Sequence, residues 1–147
     1  MRQAGCPLCE GTGGELVFGG PKFRVIRTDE GGFPAVYRLV WTDHVSEFSD
    51  LSPADRLECM EAVVLVEQLL RAHLQPVKVN LATLGNMVAH LHWHIVARFA
   101  WDSHFPGPVW AAAQREAPAG EVARIADLRP ALESELAKRL ATLRAQH

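Results

Sequence analysis

Between His90 and Val96 the chain reads His-Leu-His-Trp-His-Ile-Val, three imidazoles alternating with apolar side chains before the run turns wholly apolar. A period of two belongs to extended backbone, where successive side chains point to opposite faces, whereas residues two apart on a helix share no face. The pattern predicts a strand over about 90–98, with His90, His92 and His94 on one face and Leu91, Trp93 and Ile95 on the other. Burial comes from the second face, which leaves the first for chemistry.

The flanking sequence supplies partners for that strand. Glu15 to Phe18 and Phe23 to Arg27 read as short strands joined by a hairpin turn at Gly19-Gly20-Pro21. A loop over 28–34 leads to a third strand, Ala35 to Trp41. Ser52 reads as an N-cap, Pro53 as the first helical residue and Asp55 as a favourable charge at the positive end of the dipole. A helix is predicted from about Pro53 to about Leu74, with Leu57, Met60, Val64 and Leu70 at helical spacing and Pro76 as its stop. Val77 to Leu84 reads as a fourth strand, and Gly85-Asn86 turns the chain into the histidine strand. Phe105 to Trp110 is too proline-rich for a central strand and too aromatic for a free linker, so it reads as an ordered loop. Leu132, Leu136, Leu140 and Leu143 mark an amphipathic helix from Asp127 to His147, with Arg129-Pro130 near its start. This is an α+β layout: an antiparallel sheet of about five strands, a long helix packed on it and a C-terminal helix.

Charge narrows the partners. Charged residues make up 22% of the 147 and the formal charge is -2, which gives no basic surface for a nucleic acid polymer. A small phosphorylated ligand remains within reach of a local pocket whatever the net charge. The N-terminus lacks the apolar core of a signal peptide and no apolar run is long enough to span a bilayer, so the expectation is a cytoplasmic protein without a membrane partner. Three cysteines, two of them in Cys6-Pro7-Leu8-Cys9, favour free thiols or a metal site over a disulfide framework. A thioredoxin-like role needs a preceding strand and a helix starting at the motif, and the glycine-rich turn at Gly11, Gly13 and Gly14 predicts neither. Cys59, inside the long helix, reads as packing material.

Three readings of the histidine row compete. Residues two apart on a strand are about 6.6 Å apart, so His90 and His94 lie about 13 Å from each other and do not share one metal ion. Two alternate histidines with a third ligand from elsewhere are one reading, and a solvated strand face is the bland one. The third is nucleophilic catalysis by the central imidazole, which near neutral pH is both nucleophile and base. That requires one ring nitrogen held by an acceptor and the other free, with the flanking histidines as protonated donors to developing negative charge.

From Gly85 to Val96, Gly-Asn-Met-Val-Ala-His-Leu-His-Trp-His-Ile-Val resembles the signature of the histidine triad (HIT) superfamily, and in particular its bacterial HIT-domain members. The likeness extends over most of residues 1–110, through the Cys-x-x-Cys, the strand ending in His44-Val45, the long helix and the glycine turn. It implies a HIT-like domain at 1–115 with 116–147 as its C-terminal helical extension, paired as a homodimer. It also implies a nucleotide hydrolase or transferase that binds a purine nucleoside monophosphate-like ligand. Such an enzyme cleaves a nucleoside phosphoramidate or dinucleoside polyphosphate through a nucleotidyl-histidine intermediate, without a catalytic cofactor. The alternatives are a nucleotide-binding module with little turnover, or a zinc-stabilised interaction protein. Carried over by position, His92 resembles the nucleophile, His90 and His94 its support, and Asn80, Asn86 and Met87 the substrate-binding positions. Met87 departs from the pattern, since many members have Ser or Thr there and a thioether donates no hydrogen bond. The resemblance also implies a structural zinc on Cys6, Cys9, His44 and His90, against two reduced, unliganded thiols.

The remaining histidines read as bland: His73 near a helix end, His104 on a surface loop, and His147 at the last position. Asp43, beside His44, is ambiguous. Trp93, Trp101 and Trp110 read as core or dimer-interface residues rather than base-stacking platforms.

Overall fold

The central strands of the sheet are largely buried on both faces, and tight turns join the first three strands. The structure, a computed structural model, describes residues 1–145; His147 lies outside them. In chain order the elements are α1 (Pro7–Glu10), β1 (Glu15–Gly19), β2 (Phe23–Glu30), β3 (Phe33–Trp41), α2 (Pro53–Leu74), β4 (Lys78–Ala82), β5 (His92–Arg98) and α3 (Ala119–Ala145). The five strands form an antiparallel sheet ordered β1-β2-β3-β5-β4. No helix of the described residues is long and apolar enough to cross a membrane.

Both long helices cover the same face of this sheet. Tyr37, Leu39, Ile95 and Ala97 from the strands join Val66 and Leu70 of α2 and Ile125, Leu132, Leu136 and Leu140 of α3 in a single core. Leu91, Trp93 and Ile95 all belong to it, as the alternation predicted. Helix α2 has its predicted bounds: Ser52 Oγ accepts from Asp55 N–H at 3.1 Å, Pro53 opens the first turn, and Gln75 closes the helix in the left-handed region. Its buried face is only partly the predicted one: Leu70 is in the core and Met60 packs against it. Leu57 and Val64 are 56% and 45% exposed, while Cys59, Ala62, Val63 and Val66 face the core. Burial pushes the Cys59 thiol up to about 12, which suits the packing role read from the sequence.

Several boundaries differ from the sequence reading, β4 among them, which spans Lys78–Ala82 within the predicted 77–84. Strands β2 and β3 reach so far that 28–34 is a tight turn rather than a loop; Gly32 has φ +82° there, and a Cβ would meet Ser103 Oγ at 2.1 Å. Pro7 starts a one-turn helix at the Cys-x-x-Cys, where no helix was predicted, although no strand precedes it. Helix α3 begins at Ala119 instead of Asp127, with Pro130 in its interior, because the completely buried Ile125 anchors an extra stretch that the proline does not break. Strand β5 begins at His92 instead of His90, for a reason that belongs to the site.

The second face of the sheet carries Val36, Arg38 and Val40 of β3 opposite Val96, His94 and His92 of β5. Its two ends are covered and its middle is left open. At one end α1 packs Cys6 and Leu8 on Ile26 and Val40, and at the other Val109 packs on Phe33, Val36 and Val96.

Candidate active site and metal centre

The N-terminal turn presents both thiols of the Cys-x-x-Cys to one point. Arg24 fixes that turn by donating to the carbonyls of Leu8, Gly11 and Thr12 at 2.9 to 3.0 Å. His44, just past β3, and His90, just before β5, bring their rings to the same point. His90 Nδ1 lies 3.4 Å from each of Cys6 Sγ and Cys9 Sγ and 3.3 Å from His44 Nδ1, and Cys9 Sγ lies 3.5 Å from His44 Nδ1. All four ligand atoms fall within 4.8 Å of one another. Tetrahedral zinc with Zn–S of about 2.3 Å and Zn–N of about 2.05 Å requires N···N near 3.3 Å and S···N near 3.6 Å, so the four residues fit the ion as they stand. The ring of His90 is further oriented by donating from Nε2 to the Trp41 carbonyl at 2.6 Å, which leaves Nδ1 as the ligand atom. Burial pushes the His90 pKa down, against the pull of that carbonyl, and favours the neutral, ligating form.

This capture of the His90 ring is why β5 starts two residues late. His90 is completely buried and its imidazole points to the cysteines, out of line with His92 and His94. Leu91 still bonds to the end of β3, accepting from Trp41 N–H at 3.1 Å, and donates to the Val45 carbonyl at 2.8 Å. The row of three is therefore two histidines plus a third that serves the other site through its ring.

His92 meets the stated requirement for a nucleophile. Its Nδ1 donates to the carbonyl oxygen of His90 at 2.6 Å, so the proton is held there and the Nε2 lone pair is free. The ring of His94 stands edge-on to it at 5.0 Å between centroids, and Trp110 stands edge-on to His94 at 5.3 Å. His94 is pushed down to about 4, first by burial, then by the Arg38 guanidinium and by His92. That runs against the expectation of a protonated donor: burial and the neighbouring cation favour the neutral ring, which donates through a single N–H.

Two clefts meet at His94 and Trp110. One, of about 510 Å³, is walled by the turn 84–88 and floored by Arg38, His92 and His94. Gly85, with φ +82°, makes that turn possible. The other, of about 580 Å³, runs over Asn80, Val96 and Arg98 under the loop 105–110.

A HIT domain family model matches residues 13–101. The chain belongs to the HIT family. A histidine triad protein from Bradyrhizobium japonicum is 30% identical, with 81% of this chain and 90% of that one covered and a TM-score of 0.65. A histidine triad protein from Marinobacter aquaeolei is 21% identical, covering 93% and 99% with a TM-score of 0.70, and a zinc-bound histidine triad family protein from Mycobacterium smegmatis is 14% identical, covering 89% and 97% with a TM-score of 0.58. No curated protein sequence matches the chain.

Within this HIT fold the predicted substrate positions are split between the clefts. Asn86 and Met87 wall the smaller one, and Met87 is 98% exposed, so its thioether adds apolar rim and no donor. Asn80 lines the larger one, where its Oδ1 accepts from Arg98 at 2.8 Å and its NH₂ is turned away from that bond. Trp110 is not in the core: it lies half-exposed, edge-on to His94.

Several residues of the site escaped sequence reading. Arg98 is buried and makes four bonds: it grips Asp102 through two of 2.8 and 3.1 Å, Asn80, and the Gly107 carbonyl at 2.6 Å. Asp102 also accepts from Phe99, His104 and Phe105 N–H, and so shapes the loop that roofs the larger cleft. Arg38 was visible as a lone charge in a strand apolar on both faces. His104 packs on Phe33 and hydrogen-bonds Ser103, away from the clefts, Asp43 pairs with the N-terminal amine, and His73 joins α2 to Glu135 of α3 at 2.7 Å.

Proposed function

We propose that this HIT-family protein is a nucleotide hydrolase or transferase in which His92 attacks phosphorus. The carrying observation is the 2.6 Å bond from His92 Nδ1 to the His90 carbonyl, which fixes the tautomer with a free Nε2. In the first step the Nε2 lone pair forms a bond to the α-phosphorus of a nucleoside phosphoramidate or dinucleoside polyphosphate. The bond from phosphorus to the leaving nitrogen or oxygen breaks, and the leaving group departs with that electron pair. The leaving group takes a proton from solvent. Water then adds to the same phosphorus and gives up a proton to solvent, the P–N bond breaks back to Nε2, and a nucleoside monophosphate is released. In this reading His94 N–H and the Asn86 amide, which line the cleft of His92, donate to phosphate oxygens, and the Asn80 amide lies in the adjoining cleft that shares His94.

Cys6, Cys9, His44 and His90 are the residues that hold a structural zinc in this reading. Zinc there ties the N-terminal turn to the start of β5; the match of their spacing to tetrahedral zinc supports it, and a zinc-bound relative of the same fold exists. The proposal includes a homodimer, supported by the unpaired outer edge of β4 and by Leu81, Leu57 and Val64, which are apolar and exposed. A binding module with little turnover is the second reading, favoured by the exposed Met87 in the turn that walls the site.

The test is turnover of a fluorogenic adenosine phosphoramidate and of diadenosine polyphosphates, beside His92→Ala. The expected result is turnover in the natural protein, its loss in the variant, and a nucleotidyl mass added to the peptide carrying His92 after a neutral denaturing quench. Turnover surviving in His92→Ala refutes the nucleophile, and AMP binding without turnover decides for the module.

A further inference from the structure

Three partly or fully buried arginines face the open side of the sheet or its covering turns, and they are used differently. Arg24 donates to three carbonyls and Arg98 to two side chains and a carbonyl. Both are structural, with three and four of their five donors bonded to the protein. Arg38 has one contact, from Nη2 to Glu30 at 3.2 Å, and its Nε is buried with no hydrogen-bond partner among the described residues. A guanidinium carries five N–H donors in a fixed plane, and buried donors are ordinarily satisfied.

Its position says what the free donors face. Arg38 is the cross-strand partner of His94, so the two side chains share a sheet face, and both floor the 510 Å³ cleft with His92. The other walls are Leu84, Gly85, Asn86, Met87, Val88 and Trp110, among which Arg38 is the only formal charge. The Nε is too enclosed to meet a ligand, but the Nη groups keep N–H donors unpaired among the described residues. A permanent cation with such donors, beside a free imidazole nitrogen and walled by apolar groups that lower the local dielectric, is a receptor for an anion with several oxygens. A planar fork binds such oxygens in pairs, which a lysine does not. The same charge helps to keep the neighbouring His94 unprotonated in the absence of an anion.

We propose that Arg38 is the phosphate-binding cation of this site, donating to non-bridging oxygens of the phosphoryl group that His92 attacks. The inference rests on the nucleotide reading above and deepens it. It places the charge recognition that the 84–88 turn does not supply on the floor of the cleft, one strand away from the triad. Substrates are thereby restricted to those with an anionic phosphoryl group at the reacting centre.

The test uses calorimetric titration of the full-length protein with AMP, adenosine and inorganic pyrophosphate, for the natural chain, Arg38→Met and Arg38→Lys, with thermal midpoints recorded beside them. A charge-assisted pair lost from a partly buried site weakens binding by about tenfold or more. We expect that loss for AMP and pyrophosphate in Arg38→Met, a change under about twofold for adenosine, and partial recovery in Arg38→Lys. Equal weakening of AMP and adenosine, or unchanged AMP and pyrophosphate binding, overturns the assignment, as does failure of the natural chain to bind either anion. If the natural chain binds AMP but turns nothing over, the hydrolase reading fails while Arg38 is still judged by the titrations. If turnover is present and Arg38→Met matches the natural chain in AMP affinity and kcat/KM, the Arg38 assignment fails alone.

Discussion

His94 makes the stability of this protein depend on pH in a way that can be isolated. Burial holds its pKa near 4 in the folded chain, with Arg38 on β3 and His92 on its own strand adding repulsion, and the only acidic group lining either cleft with it is Glu67. Unfolded, it titrates near 6.5. At pH 7 it is neutral in both states and contributes nothing. As pH falls below 6.5 the unfolded chain takes up a proton that the folded chain refuses, so stability falls until about pH 4 and then levels. From 6.5 to about 4, at about 1.4 kcal/mol per pKa unit, the loss assigned to this one ring is about 3 kcal/mol. Other groups also titrate in this range, so the informative quantity is a difference. Urea unfolding of the natural chain and of His94→Asn at half-unit steps from pH 7 to 4 gives two stability curves, and the natural one is expected to drop about 3 kcal/mol further. Curves that stay parallel to within about 0.5 kcal/mol refute the reasoning, as does an NMR titration of His94 with its midpoint above pH 6.

Asp102→Ala leaves the buried Arg98 without its bidentate partner and is expected to cost about 3–5 kcal/mol by equilibrium unfolding, with amide exchange accelerated over residues 103–107. The Asp102 carboxyl, which burial alone would raise, is held below its usual range by Arg98 and by the N–H groups of Phe99 and His104. Its contribution is therefore present above the usual carboxylate pKa and lost as pH falls through the lower folded value. Freshly purified protein is expected to carry one zinc per chain by elemental analysis, and Cys9→Ser to lose it with a drop in Tm of about 10 °C or more; zinc near zero without chelators refutes the site. Leu136→Ala in α3 is expected to cost about 2–5 kcal/mol and Leu57→Ala in α2 under about 1 kcal/mol, since the first is completely buried and the second 56% exposed; thermal unfolding of the pair checks which apolar residues face the core.

The features legible in the sequence were those written in local chemistry. Ser52-Pro53 caps α2 at the residue predicted, the Gly19-Gly20-Pro21 turn separates β1 from β2, and alternation puts Trp93 and Ile95 into the core. What misled was local signal that long-range contact overrides. Helix α2 is apolar around much of its circumference, so Leu57, Met60, Val64 and Leu70 fit the helical period as well as Cys59, Ala62, Val63 and Val66 do. Packing against β5 and α3 buries the second set together with Leu70, and leaves Leu57 and Val64 exposed. Pro130 marked a helix start on local grounds, yet the burial of Ile125 and the bonds from Glu121 and Val122 N–H to Pro118 O start α3 earlier. His90 continued the period of two perfectly. Nothing within the strand reveals that residues 81 and 84 positions earlier, together with His44, claim its ring.

That departure of His90 from the row changes what the triad means in this chain. One residue uses three atoms for three duties: Nδ1 faces the two thiols and His44, Nε2 donates to Trp41 O, and the carbonyl oxygen accepts from His92 Nδ1. A ring held at both nitrogens fixes the side chain, and a completely buried side chain fixes the backbone that bears it. The carbonyl that decides the His92 tautomer is thus positioned by the cysteine turn about 80 residues away in sequence. An intact cluster and the aim of the His92 ring are consequently one structural condition: a change that loosens Cys6 or Cys9 acts on His92 by letting the His90 carbonyl move, even though neither cysteine lines the clefts.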